Sequence, residues 1–555
     1  MPSLRHLLGL VVNEAKSSTA RAIAVRKVAR SAGLTEQLSL AGLKVLLRSM
    51  GKTGPAMVLR YHAANTPHRT ALIHRERSWS FHELNARMDR VAQALHREGI
   101  GRGDAVVLML HNVPEFLFLQ GGATRLGAAA VSVSWRSTPS ELRYLLGNSK
   151  ARAIFFDASV ADVVSRVLSE SNLGDRAFSV GGKAPGFRSF DELMHSDADD
   201  AVLPDHSDEA AVVIYTSGTT GKPKGAVRRF GKDGTLQVLS FIAETPMHVR
   251  QTHLTVCPLY HSTAFGFVTI SYVVGSTIVL LDTFEPESFL DALERYRVDH
   301  TAVVPTMLHR TLGLGADEVK RRDLSNLKAI FTGGAPLSPA LATAVMDAYG
   351  DVLYNFYGAT ETGLVTLAKP GDLRIAPGTI GRCIGGNEIR LLDDNGNIVP
   401  PGDVGELYTR SGNLVEGYHE NPDATAASTR EGFFSVGDLA RQDARGYYFL
   451  EGRKRDMIIS GGVNVYPREI ETVLTAHPEI AEAAVIGVPD DEWGERVHAF
   501  VALKPGASVG VDDLIAYCRD ELAGPKRPRD ITILDELPRN PTGKVLKREL
   551  REMAS

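Results

Sequence analysis

The sequence predicts an α/β protein: a large N-terminal domain with parallel sheets covered by helices, followed by a small α+β C-terminal domain. Three observations point there. Capped amphipathic helices alternate with short apolar strands through the first half of the chain. The last hundred residues change texture, with a few longer apolar segments around two short helical patterns. Between the two lies Glu451-Gly452-Arg453-Lys454-Arg455-Asp456, a charged joint between apolar stretches. Strands that alternate with helices form parallel pairs, because a crossover helix returns the chain to the same edge and covers the sheet.

The elements follow in order. Residues 1–52 read as a basic amphipathic leader. Leu4, Leu7, Leu8, Val11 and Val12 share one helical face, and Leu43, Leu46 and Leu47 repeat the pattern. Nine Lys and Arg face only Glu14 and Glu36 there, in a chain whose net charge is −4. Three readings stay open: a helix on an anionic membrane surface, a helix packed on the body, or an organellar targeting peptide. Residues 53–452 form the large domain. Ser80 and Glu83 make a capping box, since a hydroxyl and a carboxylate three residues apart satisfy each other's backbone N–H groups. Leu84, Met88, Val91, Ala92 and Leu95 continue that helix as an apolar stripe. Gly99, Gly101 and Gly103 read as a turn, lacking dinucleotide-fingerprint spacing. Ala105–Leu110 and Ala153–Phe156 read as buried strands, and Thr138-Pro139-Ser140-Glu141 opens a second helix. The uncharged run between His261 and Asp282 contains Gly275, Ser276 and Thr277; it divides into helix, turn and strand rather than spanning a bilayer. Asp197–Glu209 reads as an acidic surface loop. Residues 453–457 are the hinge and 458–555 the small domain, with strands at Ala483–Gly487 and Val497–Leu503 and a helix at Asp512–Leu522.

Composition excludes several classes. Apolar residues make up 43% and charged residues 23%, so neither a disordered chain nor a collagen-like repeat fits. The three cysteines, Cys257, Cys383 and Cys518, are widely separated, which excludes a disulfide scaffold or a CxxC zinc site. The basic charge is local to the leader, so no nucleic-acid partner is expected.

The chemistry concentrates in a few motifs. In Val212–Gly225 an apolar strand enters Thr216-Ser217-Gly218-Thr219-Thr220-Gly221-Lys222-Pro223-Lys224. Glycines let backbone N–H groups approach a phosphate, hydroxyls add donors, and lysine adds charge. By composition alone the segment is a phosphate loop or a linker. It is not a Walker loop, because only two residues separate Gly218 from Gly221 and Pro223 follows Lys222.

The order of residues in that loop resembles the signature of the adenylate-forming superfamily, which includes acyl-CoA synthetases, luciferases and peptide-synthetase adenylation domains. Further motifs resemble the same family in the same order: Gly333-Gly334-Ala335-Pro336-Leu337, Asn355-Phe356-Tyr357-Gly358-Ala359-Thr360-Glu361, Gly437-Asp438, Gly452–Asp456, Ser460-Gly461-Gly462 and Pro541-Thr542-Gly543-Lys544. The resemblance spans roughly residues 60–550 and leaves out only the leader.

The resemblance implies a fold with a mobile small domain and a two-step reaction. An acid and ATP give an acyl-adenylate and pyrophosphate; coenzyme A then takes the acyl group and releases AMP. It implies ATP, Mg²⁺ and coenzyme A as cofactors. Thr216, Ser217, Gly218, Thr219, Thr220, Gly221 and Lys224 would hold the phosphates. Gly334, Ala335, Pro336, Asn355, Phe356, Tyr357 and Gly358 would frame the adenine, with Tyr357 stacked on it. Asp438 would hold the ribose, and Arg453 the nucleotide. Thr360 would meet the α-phosphate, and Glu361 with Thr219 the metal. Lys544 would stabilise charge during adenylation, Arg455 would be the pivot, and Ser460, Gly461 and Gly462 would admit the pantetheine arm. His261, in Pro258-Leu259-Tyr260-His261, would gate or orient at the carboxylate.

Two departures stand out. Phe230 replaces a histidine common in relatives and follows Arg228 and Arg229; Val436 stands where Thr or Ser is common before Gly437. No Asp near Leu259–His261 suits an amino-acid ammonium. Phe265, Phe267 and Gly333-Gly334 could line an apolar tunnel. Together with the leader this predicts a bacterial medium- or long-chain fatty-acid–CoA ligase. The alternatives are a fatty acyl-AMP ligase feeding a carrier protein, an aryl- or other carboxylate–CoA ligase, and a fatty-acid uptake module without catalysis. The expected location is cytoplasmic, with a peripheral contact through residues 1–50 on the inner membrane face; a homodimer is the remaining partner to be tested.

Overall fold

The computed structural model describes residues 55–171, 173–195, 211–216, 223–229, 234–461, 463–539 and 544–554. The leader, the acidic stretch 197–209, Ser217–Lys222, Gly462 and Pro541–Gly543 lie outside the described residues, as does the side chain of Thr216.

Among the described residues the chain forms four sheets. The first runs edge to edge Arg382–Cys383, Gly363–Ala368, Leu353–Ala359, Ala329–Thr332, His300–Val303, Thr252–Thr255, Thr277–Leu280, Thr70–His74 and Arg77–Ser80. Its central pairs are parallel and its margins antiparallel. The second runs Gly417–Tyr418, Lys224–Arg229, Ala211–Thr216, Ala129–Ser132, Ala105–Met109, Ala151–Asp157, Ala177–Val180 and Arg188–Ser189. It is parallel except where Lys224–Arg229 turns back beside Ala211–Thr216 and pairs with Gly417–Tyr418.

Local chemistry accounts for the elements that build these layers. The helix Phe81–Arg97 starts at Ser80, whose Oγ accepts from Glu83 N (3.2 Å) while Glu83 Oε2 accepts from Ser80 N (2.8 Å). The helix Pro139–Asn148 starts the same way at Thr138 and Glu141. The first helix packs on Pro114–Arg125 through glycine: a Cβ on Gly122 would lie 2.5 Å from Val91, so only a bare Cα admits this approach. Gly99 and Gly103 have positive φ, as expected of the turn after that helix. The segment after His261 divides as expected, into helix Ser262–Val273, a turn at Gly275 (φ 66°) and strand Thr277–Leu280. No helix among the described residues is long and apolar enough to cross a membrane.

A third sheet, Asn387–Leu392, Val404–Ser411, Phe433–Gln442 and Thr429–Arg430 with Tyr448–Arg453 on its side, closes the large domain. The small domain has its own sheet and core. Ile458, Val465, Ile470, Leu474, Val497 and Leu514 are buried together. Its elements are longer and more numerous than the sequence suggests: the strand expected at Ala483–Gly487 runs Ile480–Asp490, paired along its length with Gly494–Leu503. Lys454–Asp456, inside the expected hinge, make a single 3-10 turn. Lys454 pairs with Asp394 (2.7 Å) and Glu406 (3.2 Å), and Asp456 with Arg551 of the last helix (2.9 Å). The Lys454–Asp394 pair is exposed on both sides and individually weak, whereas the Glu406 and Asp456 carboxylates are largely covered.

Candidate active site

The strand ends and the small domain enclose a cavity of about 960 Å³, large enough for a drug-sized ligand. Lys224, His261, Gly334, Phe356, Gly358, Thr360, Glu361, Asp438, Arg453 and Lys544 all reach its wall. These come from seven separated segments of the sequence, and the fold brings them together.

Thr216 and Lys224 face each other across an antiparallel pair, and Lys224 lines the cavity. Lys224 Nζ lies 4.9 Å from the centre of the Tyr418 ring. Tyr418 in turn donates from its hydroxyl to Glu361 Oε1 (3.0 Å). Sequence reasoning missed Tyr418. Its pairing with Ala226 is a long-range strand contact that no local spacing reports.

Thr360 and Glu361 occupy the turn between strands Leu353–Ala359 and Gly363–Ala368. Thr360 Oγ1 donates to Ser262 Oγ (3.1 Å), tying this turn to the start of helix Ser262–Val273. Ser262 and Thr263 also line the cavity, so a helix N-terminus, with its unpaired N–H groups, faces the space beside Thr360. A Cβ on Gly358 would collide with the Gly363 carbonyl oxygen. Gly358→Ala is therefore expected to prise the two strands apart at the turn. A cost of about 1–3 kcal/mol, read as a lowered denaturation midpoint, should accompany loss of ligand turnover.

Asp438 and Arg453 are directly opposed on neighbouring strands. Arg453 Nε lies 3.1 Å from Asp438 Oδ1, and the Tyr357 hydroxyl donates to Asp438 Oδ2 (2.8 Å). Burial, and then the Asp438 charge, push the Tyr357 phenol well above its ordinary range, so it stays a donor. Asp438 is 8% exposed and its outward edge faces the cavity.

Lys544 arrives from the small domain. Burial, and then the neighbouring Arg453, push its ammonium down to about 8, with Asp438 pulling the other way. His261 occupies the N-cap position of the helix without a side-chain capping bond and packs on Tyr260 at 4.3 Å between ring centres. Its Nε2 is buried without a hydrogen-bond partner among the described residues. Burial pushes the imidazole down to about 4, so it is neutral near pH 7. A neutral ring suits orientation or gating and makes a feeble base at that pH.

Other expected residues lie off the cavity wall. Tyr357 is buried beneath it, with its hydroxyl committed to Asp438. Asn355 donates to the Thr379 carbonyl (3.0 Å). Ala335 and Pro336 follow Gly334 outward. Arg455 is exposed in the 3-10 turn. Ser460 is buried in the small sheet, and Gly461 (φ 58°) packs against Trp493. Of the expected tunnel residues, Phe265, Phe267 and Gly334 line the cavity. Gly333 does not: a Cβ there would sit 2.6 Å from the Phe356 ring, which fills that space.

Magnesium needs few protein ligands when phosphates supply the rest. Glu361, 6% exposed on the cavity wall beside Lys224 and Tyr418, fits that demand. Among the described residues no group of three or more carboxylates, histidines and cysteines forms a metal cage.

Residues 59–419 match the model of the AMP-binding enzyme family, and residues 469–544 match that of the AMP-binding enzyme C-terminal domain. Feruloyl-CoA synthase of Amycolatopsis sp is 33% identical over 88% of this chain and 96% of its own. Long-chain-fatty-acid–CoA ligase FadD13 of Mycobacterium tuberculosis is 31% identical over 86% and 93%. The structure of the anthranilate CoA ligase AuaEII with anthranoyl-AMP is 27% identical, with a TM-score of 0.82 over 91% of this chain and 97% of that one.

Proposed function

The chain belongs to the AMP-binding enzyme family, and on that premise we propose that it activates a hydrophobic carboxylic acid with ATP and transfers the acyl group to coenzyme A. The observation that carries this reading is Lys544, which leaves the small domain to share one cavity with Thr360, Glu361 and Asp438. A carboxylate is a poor acyl donor because its charge repels nucleophiles and oxide is a poor leaving group. In the first step a carboxylate oxygen bonds to the α-phosphorus, and the bond to the bridging oxygen breaks as pyrophosphate leaves. In the second, the thiol of coenzyme A bonds to the acyl carbon, its proton goes to solvent, and AMP leaves.

The residues divide this work by charge. The helix N-terminus at Ser262, Thr360 and Lys544 hold the carboxylate and α-phosphate oxygens together and stabilise charge in the transition state. The loop 216–224 holds the departing pyrophosphate. Asp438 accepts from the ribose hydroxyls, and Arg453 keeps it aimed. Glu361 holds magnesium, whose chemistry is to neutralise phosphate charge. His261 orients the carboxylate. The strand end at Gly334 frames the adenine. Lys454–Asp456 form the pivot about which the small domain turns at Arg455, exchanging Lys544 for the Ser460–Gly462 loop.

Two acyl classes fit. Val238, Leu239, Phe267, Ile270 and Val273 wall one arm of the cavity, which suits an alkyl chain; similarity to FadD13 supports that reading. Phe356 and the polar Gln237 and Arg228 on the same cavity suit a substituted aromatic acid; similarity to feruloyl-CoA synthase supports this one. The test is AMP release across acids from acetate to oleate, with benzoate, cinnamate and ferulate, with and without coenzyme A. Release that requires both an acid and coenzyme A is the expected result. Acid-dependent pyrophosphate release that coenzyme A does not accelerate would assign the acceptor to a carrier protein instead. No release with any acid would remove the reading.

A further inference from the structure

Arg228 is a part-buried cation on the cavity wall whose charge the proposed reaction does not use. The strand Lys224–Arg229 presents Lys224, Ala226 and Arg228 to the cavity at every second position, as a strand must. Lys224 belongs to the phosphate end. Arg228 lies four residues further on, beside Thr360, Gly363 and Gln237.

Its guanidinium donates from Nη2 to the Thr360 carbonyl (2.6 Å). Among the described residues it forms no ion pair, so one of five N–H donors has a protein acceptor there. Burial depresses it to about 10, and the Glu361 carboxylate opposes that shift only in part. It therefore remains charged at neutral pH. Gly363 leaves the group open. A Cβ at that position would stand 3.5 Å from Arg228 Nη1 and 2.9 Å from Gln237 Oε1. The glycine takes φ 70°, a second reason for a side chain to be absent. Gln237 is fixed in turn: its Nε2 donates to the Leu364 carbonyl and to Asn387 Oδ1 (2.6 Å), and its Oε1 accepts from Asn413 Nδ2 (2.5 Å), so it braces the wall beside Arg228 and the spare donors are those of the arginine.

A part-buried cation with spare donors on a cavity wall is stabilised further when the occupant of the cavity brings an acceptor. The guanidinium fork matches oxygen acceptors that can take two bonds. We infer that Arg228, with Gln237 beside it, is a specificity-determining residue that selects carboxylic acids carrying a second accepting oxygen away from the reacting carboxyl. The oxygen belongs to a phenol or to a second carboxylate. The inference rests on the acid-activating reading above and narrows its substrate class.

The test measures acid-dependent exchange of labelled pyrophosphate into ATP with the full chain. Matched acids differ only in the distal oxygen: 4-hydroxycinnamate against cinnamate, and adipate against hexanoate. The first pair represents the phenol and the second the carboxylate. The expected result is a preference in kcat/KM on the order of 10- to 100-fold for the oxygen-bearing member of one pair, expressed in KM. Arg228→Met should collapse that ratio toward unity, and Arg228→Lys should retain part of it. Because each ratio is taken within one preparation, it does not depend on how much of a variant folds. Wild-type ratios of one or below in both pairs would overturn the inference. So would an Arg228→Met variant that loses both members equally, which would make Arg228 a prop for the Thr360 carbonyl. Weakened binding of MgATP alone in that variant would assign Arg228 to the nucleotide and overturn it too. Absence of exchange with every acid would instead remove the parent reading.

Discussion

Lys544→Ala is expected to lower acid-dependent pyrophosphate exchange by about 10²- to 10³-fold, the size of effect seen when one preorganised charge-stabilising donor is removed. Thioester formation from supplied acyl-adenylate should fall far less, because on the proposed mechanism the small domain presents a different face in the second step. Equal loss in both half-reactions would contradict the assignment. The same side chain predicts a pH limb. Burial, reinforced by Arg453, depresses its ammonium to about 8 in the unliganded protein. The charged form dominates below that value and is lost as pH rises through it. The kcat/KM for adenylation, which reports ionisations of free enzyme, should therefore fall above about pH 8. Lys544→Arg, whose guanidinium keeps its charge, should remove that limb while remaining slower than wild type at pH 7.

Asp438→Asn is expected to raise the KM for ATP by roughly 10- to 100-fold, with a smaller change in kcat. The carboxylate balances Arg453 at 3.1 Å and accepts from Tyr357 at 2.8 Å. Hydrogen bonds to a charged group contribute about 1.5–3 kcal/mol each. The amide keeps the shape but offers one acceptor in place of two and leaves Arg453 uncompensated. A second effect distinguishes this from simple loss of binding. Asp438 raises the Lys544 pKa, so its neutralisation should move the alkaline limb of kcat/KM below about 8. An unchanged limb would mean that the two groups are not coupled as their placement implies. Equal loss in kcat and KM terms at saturating ATP would point to collapse of the strand pair rather than to the nucleotide.

Local patterns were legible because local chemistry enforces them. The boxes at Ser80–Glu83 and Thr138–Glu141 start their helices with the hydrogen bonds their spacing requires. The turn at Gly275 divides an apolar run where a left-handed residue is needed. The parallel character of the two large sheets also followed, since helix-length segments separate most of their strands. Strand ends in the small domain were harder. Ile480–Asp490 extends well beyond its apolar centre because pairing with Gly494–Leu503 holds polar positions that have no local preference for a strand.

The site divides along the same line. Sequence alone marked the motifs to which the chemistry is here assigned: Lys224, Thr360-Glu361, Asp438 and Lys544 each stand in an ordered signature, and one cavity receives them all. Only the tertiary structure decided which neighbours tune them. Tyr418 reaches Glu361, Ser262 reaches Thr360, and Arg228 reaches the Thr360 carbonyl across separations of 57, 98 and 132 residues. It also decided that Tyr357 lies beneath the wall while Phe356 fills the space over Gly333. A motif records the residues that must act on a ligand. The charge state of Lys544 and the exposure of Arg228 depend instead on burial and on groups from other strands, which exist only once the chain has folded.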